Sequence, residues 1–253
     1  MIPDRWEKII ALVDQHGSAT VEQIASALDV SISTVRRDLS RIHSHGLIER
    51  TRGGAEPSTQ IRVGPTLAES RKINPKEKEK IGRVAADLIE DGDTIMIDGG
   101  YTTYQVALNI TAKDVTVITN SLDVAQVLAP RDDIHLVMLG GELSTDIGTT
   151  VGPATEQQIS AFIASKAILG ADAISPEDGI SSPTSLTAQT KMAMIRCSRE
   201  VIVVADYGKL GKSAMYRVAP AEKVTTIVTD DKAGPATLDM FRASGVEVIV
   251  ASD

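Results

Sequence analysis

From about residue 75 to the C-terminus, short apolar runs alternate with amphipathic stretches, and that rhythm leaves few folds open. The runs are Thr94–Asp98, Val115–Thr119, Ile134–Leu139, Lys166–Leu169, Val201–Ala205, Thr226–Thr229 and Val246–Val250. Between them, spacing predicts helices over 76–89, 103–110, 121–129, 154–163, 184–196 and 235–243. Runs rich in Val and Ile throughout, rather than at every second residue, belong to strands covered on both faces. Parallel strands need crossovers, and helices supply them. The expected fold class is therefore α/β, with a Rossmann-like, mostly parallel sheet and helices on both sides.

The N-terminal segment follows another rhythm. A helix over 3–15 carries Trp6, Ile9, Ile10 and Val13 on one face, and Gly17 ends it. Thr20 and Gln23 then form a Thr-x-x-Gln capping box ahead of Val21, Ile24, Ala25 and Leu28. Asp29-Val30 reads as a turn and Ser31 as the N-cap of a further helix, which buries Val35, Leu39 and Ile42 and stops at Gly46. Its exposed face holds Ser33, Thr34, Arg36, Arg37 and Arg41. Small hydroxyls and guanidinium forks at that position reach phosphates and base edges in a DNA major groove. Leu47 to Gly54 reads as a short strand and turn, a wing that carries Arg50 and Arg52. From Arg36 to Arg52 five arginines face two carboxylates, Asp38 and Glu49, in a chain of net charge −8. DNA affinity follows that local field rather than the total. Taken alone, a capped helix pair with arginines also fits a solvated helical hairpin.

The stretch Val30-Ser31-x-x-Thr34-Val35-Arg36-Arg37-Asp38-Leu39, followed by Gly46, Arg50 and Gly53-Gly54-Ala55, resembles the winged helix of the DeoR family of bacterial transcription regulators. The DNA-contacting set this implies is Thr20, Ser31, Ser33, Thr34, Arg36, Arg37, Arg41, Arg50 and Arg52.

In a parallel sheet, ligands bind beyond the carboxyl ends of the strands. The first run ends in Asp98-Gly99-Gly100-Tyr101-Thr102-Thr103, where a helix starts at once and its positive end could cradle an anion. By itself that loop fits a plain turn equally well. Later runs end in Thr119-Asn120-Ser121, Gly140-Gly141-Glu142, Gly170-Ala171-Asp172 and Asp206-Tyr207-Gly208-Lys209, and Lys191 stands on an intervening helix. The series is similar to the DeoR effector domain, whose fold is related to ribose-5-phosphate isomerase and coenzyme A transferases. The resemblance implies control of a carbohydrate operon by a phosphorylated sugar.

The expected effector set is Asp98, Gly99, Gly100, Tyr101, Thr102, Thr103, Asn120, Ser121, Gly141, Glu142, Asp172, Lys191, Asp206, Tyr207 and Lys209. Within it, Thr102, Thr103 and the N–H groups after Gly100 would hold the phosphate. Lys191 or Lys209 would supply the countercharge, and Asp98 and Asp206 would accept from sugar hydroxyls. Two departures from the family pattern, Tyr101 for a threonine and Tyr207-Gly208 for a pair of serines, leave two readings open. The rings stack on a larger ligand, or they fill the pocket.

The competing reading is a sugar-phosphate isomerase-like enzyme. Leu169-Gly-Ala-Asp172-Ala173-Ile resembles an isomerase motif, but its two outer acids are replaced by Leu169 and Ala173. Moving a proton between carbons needs a positioned base, and no substitute stands at matching spacing. No cofactor or metal is expected, since one cysteine, Cys197, cannot build a cluster or an internal disulfide. That cysteine reads as a small hydrophobe in a reducing cytoplasm. No apolar run of about 18 residues occurs, so no membrane span is expected. The expected organisation is a DNA-binding domain over 1–56, a linker over 57–74 and an effector-binding, oligomerising domain over 75–253. The charged cluster Arg71, Lys72, Lys76, Lys78 and Lys80, interleaved with Glu77 and Glu79, reads as a solvated helix face. Because one winged helix reads only a few base pairs, a homodimer or homotetramer on operator DNA is expected.

Overall fold

The computed structural model describes residues 4–44, 47–58, 60–61 and 64–252; the helix start at Pro3 and the stop at Gly46 lie outside them. The N-terminal unit consists of α1 (Asp4–His16), β1 (Ala19–Thr20), α2 (Val21–Leu28), α3 (Ile32–Ser44), β2 (Ile48–Arg50) and β3 (Gly54–Pro57). Ile9, Val13, Ile24, Val35, Leu39, Ile42 and Ile48 are fully buried together, so the faces read from spacing do meet in one core. The capping box forms as spelled: Thr20 Oγ1 accepts from Gln23 N at 3.1 Å, and Thr20 N donates to Gln23 Oε1 at 2.8 Å. Asp29 takes a left-handed conformation with φ 51° to end α2, and Ser31 Oγ accepts from Thr34 N at 3.2 Å to begin α3. Trp6 is 6% exposed, and its indole N–H donates to Asp38. Arg5 also reaches Asp38, at 2.5 Å. Burial pushes the Asp38 carboxyl up, but the bonds from Arg5 and Trp6 outweigh it and hold it below its usual range. Asp38 is thus a tie between α1 and α3.

The chain continues through β4 (Gln60–Ile61), α4 (Leu67–Ser70) and α5 (Pro75–Ala86) into the sheet unit. There follow β5 (Thr94–Ile97), α6 (Tyr101–Asn109), β6 (Val115–Thr119), α7 (Leu122–Leu128), β7 (Ile134–Met138), β8 (Glu142–Ser144) and β9 (Thr149–Val151). Next come α8 (Pro153–Ile159), β10 (Ala164–Gly170), β11 (Ala173–Ser175), β12 (Gly179–Ser182), α9 (Ser185–Arg196) and β13 (Ser198–Val204). The last elements are β14 (Ser213–Ala214), β15 (Tyr216–Ala219), β16 (Thr226–Asp230), α10 (Pro235–Ala243) and β17 (Glu247–Ala251). Seven of these strands form one sheet in the order β17-β16-β13-β10-β5-β6-β7, all pairs parallel. They are the seven apolar runs read from the sequence. A core lies on each face: Ile81, Val106, Val117 and Ile168 on one, and Met96, Leu169, Met194 and Phe241 on the other. Cys197 packs partly buried against the second.

Sequence spacing did not reveal the small antiparallel pieces, the β8–β9 hairpin and the sheet β11-β12-β15. The segment expected as linker is also built. Its β4 pairs in parallel with β14, and α4 starts on a capping box between Thr66 and Glu69. Leu67 N donates to Asp146 O at 2.8 Å. Residues 64–71 therefore lie as a strap across the sheet unit.

Candidate functional site

The candidate DNA face is assembled from α3 and the β2–β3 turn. Ser31, Ser33, Arg36, Arg37, Arg41, Arg50 and Arg52 are exposed, and Thr34 is half-buried. The Ser31 hydroxyl pairs with those of Ser33 (2.9 Å) and Thr34 (2.8 Å), which fixes the first turn of the helix. Arg50 Nη1 donates to Ser40 Oγ at 2.8 Å, and Ser40 Oγ donates to Arg36 O at 2.9 Å, so the wing is clamped to the helix it flanks. Val21 N to Gly53 O, 2.9 Å, ties the wing turn to the start of α2. Thr20 is exposed, but its hydroxyl is occupied in the capping box.

At the carboxyl ends of the parallel strands lies a cavity of about 370 Å³, in the size range of small-molecule sites. Of the residues expected there, Asp98, Gly99, Gly100, Tyr101, Thr102, Thr103, Asn120, Asp172, Lys191, Asp206 and Lys209 line it. The glycines are sterically required. A Cβ on Gly99 would stand 2.0 Å from Thr149 Cγ2, and Gly100 has φ +141°. Thr103 Oγ1 donates to Gly100 O at 2.9 Å and staples the loop to the start of α6.

Ser121, Gly141, Glu142 and Tyr207 fall outside the pocket lining. Ser121 Oγ accepts from Val124 N at 3.4 Å and caps α7. Gly141 makes the turn into β8, where a Cβ would meet Thr155 Oγ1 at 2.0 Å, and Glu142 is exposed on β8. Tyr207 packs against the core, with Lys232 Nζ 5.8 Å from its ring centre. Burial and the surrounding carboxylates, Asp14 first, push its phenol up to about 12.

The charged groups are arranged less simply than their positions in sequence imply. Lys191 Nζ is held between Asp98 Oδ2 and Gly170 O, the latter at 2.7 Å. Burial pushes the Asp98 carboxyl up, Lys191 opposes that, and Asp172 adds to it. Asp206 is 1% exposed; its Oδ1 accepts from Asn74 Nδ2 at 2.7 Å and from Gly208 N at 3.1 Å. Lys209 has no ion-pair partner within 4.0 Å among the described residues and lines the cavity. Two buried oxygens on pocket residues, Asn120 Oδ1 and Thr149 Oγ1, find no partner among the described residues.

Several pocket residues carried no signal as a site. Gly64, Pro65, Thr66, Leu67 and Ser70 of the strap close one wall, although the Thr66-x-x-Glu69 cap itself was readable. Lys78 also lines the pocket and is 2% exposed, where alternating Lys and Glu implied a solvated face. Its Nζ donates to Ser70 O at 2.6 Å and stands 3.9 Å from Asp206 Oδ2. Arg71 leaves that expected face as well. It bonds Asp123 at 2.6 Å, with its guanidinium 6.0 and 5.8 Å from the Tyr101 and Tyr104 ring centres. The Tyr101 ring therefore packs against the strap as well as bounding the cavity.

A winged helix presenting arginines, joined to an α/β sheet whose strand ends enclose a charged pocket, defines a ligand-responsive DNA-binding regulator. Residues 5–60 match the DeoR-like helix-turn-helix domain and residues 73–231 the DeoR C terminal sensor domain. The chain belongs to the DeoR family of transcription regulators. It is 36% identical over 247 residues to the HTH-type transcriptional repressor GlcR of Bacillus subtilis (strain 168), covering 96% of this chain and 95% of that protein. It is 33% identical over 228 residues to the glycerol-3-phosphate regulon repressor of Escherichia coli (strain K12), covering 89% and 90%. Among solved structures, ribose 5-phosphate isomerase A from Methanocaldococcus jannaschii aligns over 54% of each chain at 18% identity and TM-score 0.39. Both of these relatives are named as repressors. The chain is a regulator, not an isomerase.

Proposed function

We propose that this protein is a cytoplasmic repressor that binds operator DNA as a homodimer or homotetramer and is released by a phosphorylated sugar or polyol. The observation that carries the effector reading is one cavity in which an anion cradle and sugar-type acceptors converge. The Gly99-Gly100 loop feeds the N-terminus of α6, whose free N–H groups and dipole favour a phosphate. Lys209 supplies an ammonium not already paired, in preference to Lys191, which Asp98 holds. Beside the same loop, Asn120 Oδ1 and Thr149 Oγ1 have no hydrogen-bond partner among the described residues, and sugar hydroxyls would supply one. A nearby repressor takes its name from glycerol 3-phosphate, which fits the same chemistry.

No helix among the described residues is long and apolar enough to cross a membrane. Arg36, Arg37 and Arg41, with Arg50 and Arg52 on the wing, read the operator, and two half-sites require two copies. The test is calorimetric titration of the full-length protein with hexose 6-phosphates and glycerol 3-phosphate beside the same polyols unphosphorylated. At least tenfold preference for one phosphorylated form, and loss of operator binding in its presence, is expected. Equal binding of the unphosphorylated polyols would remove the anion-cradle role of the Gly99-Gly100 loop.

A further inference from the structure

One residue, Asn74, separates the last side chain packed on the winged-helix core from the first helix of the sensor. Ile73 packs against the winged-helix core, and Pro75 is the first residue of α5 in the sensor. Between them Asn74 stands at φ 50°, ψ 48°, a left-handed conformation uncommon outside glycine and best tolerated there by asparagine and aspartate. Its side chain does not cap α5. It points instead into the sensor, where Nδ2 donates to Asp206 Oδ1 at 2.7 Å. Gly208 leaves room for this bond, since a Cβ there would stand 3.0 Å from Asp206 Oδ1 and 3.4 Å from Asn74 Nδ2.

Asp206 is itself a pocket residue, with the buried Lys78 ammonium 3.9 Å from its other oxygen. Lys78 in turn grips Ser70 O of the strap. The winged helix also feels this carboxylate. Burial pushes the Asp14 carboxyl of α1 up, Lys212 opposes, and Asp206 adds to the push.

We propose that the Asn74–Asp206 hydrogen bond is the latch through which pocket occupancy is read by the DNA-binding unit. This rests on the effector reading above. A ligand that bonds Asp206, or draws the Lys78 ammonium to its phosphate, changes the one carboxylate that pins the joint. Asn74 then loses the partner that holds its left-handed backbone, and the strap and winged helix separate from the sensor. The ligand shifts this equilibrium only by its differential affinity for the unlatched form. Asn74 touches no ligand in this scheme; it is a positioning residue that acts through Asp206.

Two variants of the full-length protein separate the side chain from the backbone. Asn74→Gly keeps the left-handed conformation at no steric cost but loses the amide. Asn74→Asp keeps the shape but sets a second carboxylate against Asp206. Amide hydrogen exchange without ligand is expected to rise at least fivefold over 64–73 in both, with β5 and β6 as protected as in the parent, which reports an intact fold. Ligand-free Asn74→Gly should bind operator as weakly as the parent does with its best phosphosugar, and the phosphosugar should change that by less than twofold. Parental protection of the strap together with parental operator affinity in Asn74→Gly would overturn the latch and leave the effector reading untouched. A loosened strap and weakened operator binding in the variants, with a parent indifferent to every phosphosugar, would uphold the latch and sink the effector reading.

Discussion

At the scale of single residues, Lys78 is the group whose environment departs furthest from what its neighbours in sequence imply. Burial drives its ammonium down to about 8; Asp206 opposes this, Lys209 adds to it, and Glu77 opposes it weakly. The folded pKa lies below the ordinary 10.5, so between about 8 and 10.5 the folded state binds fewer protons than the unfolded state. The penalty for burying the charge stands in full below pH 8 and fades as pH rises towards 10.5. Relative to a Lys78→Met variant, the parent should therefore gain about 2 kcal/mol of stability between pH 7 and pH 10. Denaturant midpoints of both proteins at the two pH values measure it, and groups common to both cancel. A difference independent of pH would show that Lys78 stays charged in both states over that range. The sequence offered Lys76-Glu77-Lys78-Glu79-Lys80 as one solvated face. Lys78 was not legible as a pocket residue, because its partners Ser70 and Asp206 come from other elements.

At the scale of elements, the wing shows how local chemistry and close packing divide the work. Gly53 and Gly54 look equivalent in sequence, and a Gly-Gly turn predicts a hairpin without ranking them. In the fold, a Cβ on Gly53 meets nothing within 4 Å, whereas one on Gly54 would stand 2.0 Å from Ala19 O and 2.7 Å from Thr20 Cα. The cause is the pairing of β3 with β1, where Thr20 lies opposite Gly54. Gly53→Ala should thus stay within about 0.5 kcal/mol of the parent, while Gly54→Ala costs about 1–3 kcal/mol. Thermal unfolding of the winged-helix unit, followed by the fluorescence of Trp6, distinguishes the two; equal midpoints would show that the β1–β3 pairing yields freely. The helices of this unit were readable to within a residue or two because caps and apolar spacing act over four residues. The two- and three-residue strands β1, β8 and β14 were not, since pieces that short carry no period.

At the scale of the whole molecule, a chain of net charge −8 has to bind a polyanion through one small face. The arginines of α3 and the wing make that possible only if the acidic bulk is kept away from the DNA, so affinity should depend steeply on salt. If each subunit neutralises several phosphates, operator affinity should fall by about 10³-fold or more between 50 and 200 mM salt. Arg36→Ala and Arg37→Ala should each lower affinity, and a phosphate-contacting arginine should also reduce the salt slope by about one. Fluorescence anisotropy over a salt series checks both; unchanged operator binding in both variants, with folding intact, would remove α3 as the recognition helix.

The winged helix, the seven parallel strands and the loops at their carboxyl ends were legible in the sequence. Each rests on periodicity, capping or turn chemistry within a few residues, and such signals are complete locally. Asp98, Gly99, Thr103, Asn120 and Lys209 were placed at the strand ends this way and do line the cavity, because in a parallel sheet strand ends converge whatever the details. Which charges remain available, and what closes the pocket, depends on the assembled fold. Lys191 is held by a carboxylate 93 residues away, and Asp206 is bonded to Asn74, 132 residues away. The strap became a pocket wall because β14 offered it an edge and Asp146 a carbonyl. The reason is physical: burial and ion pairing depend on distances between segments far apart along the chain, which a local pattern does not encode.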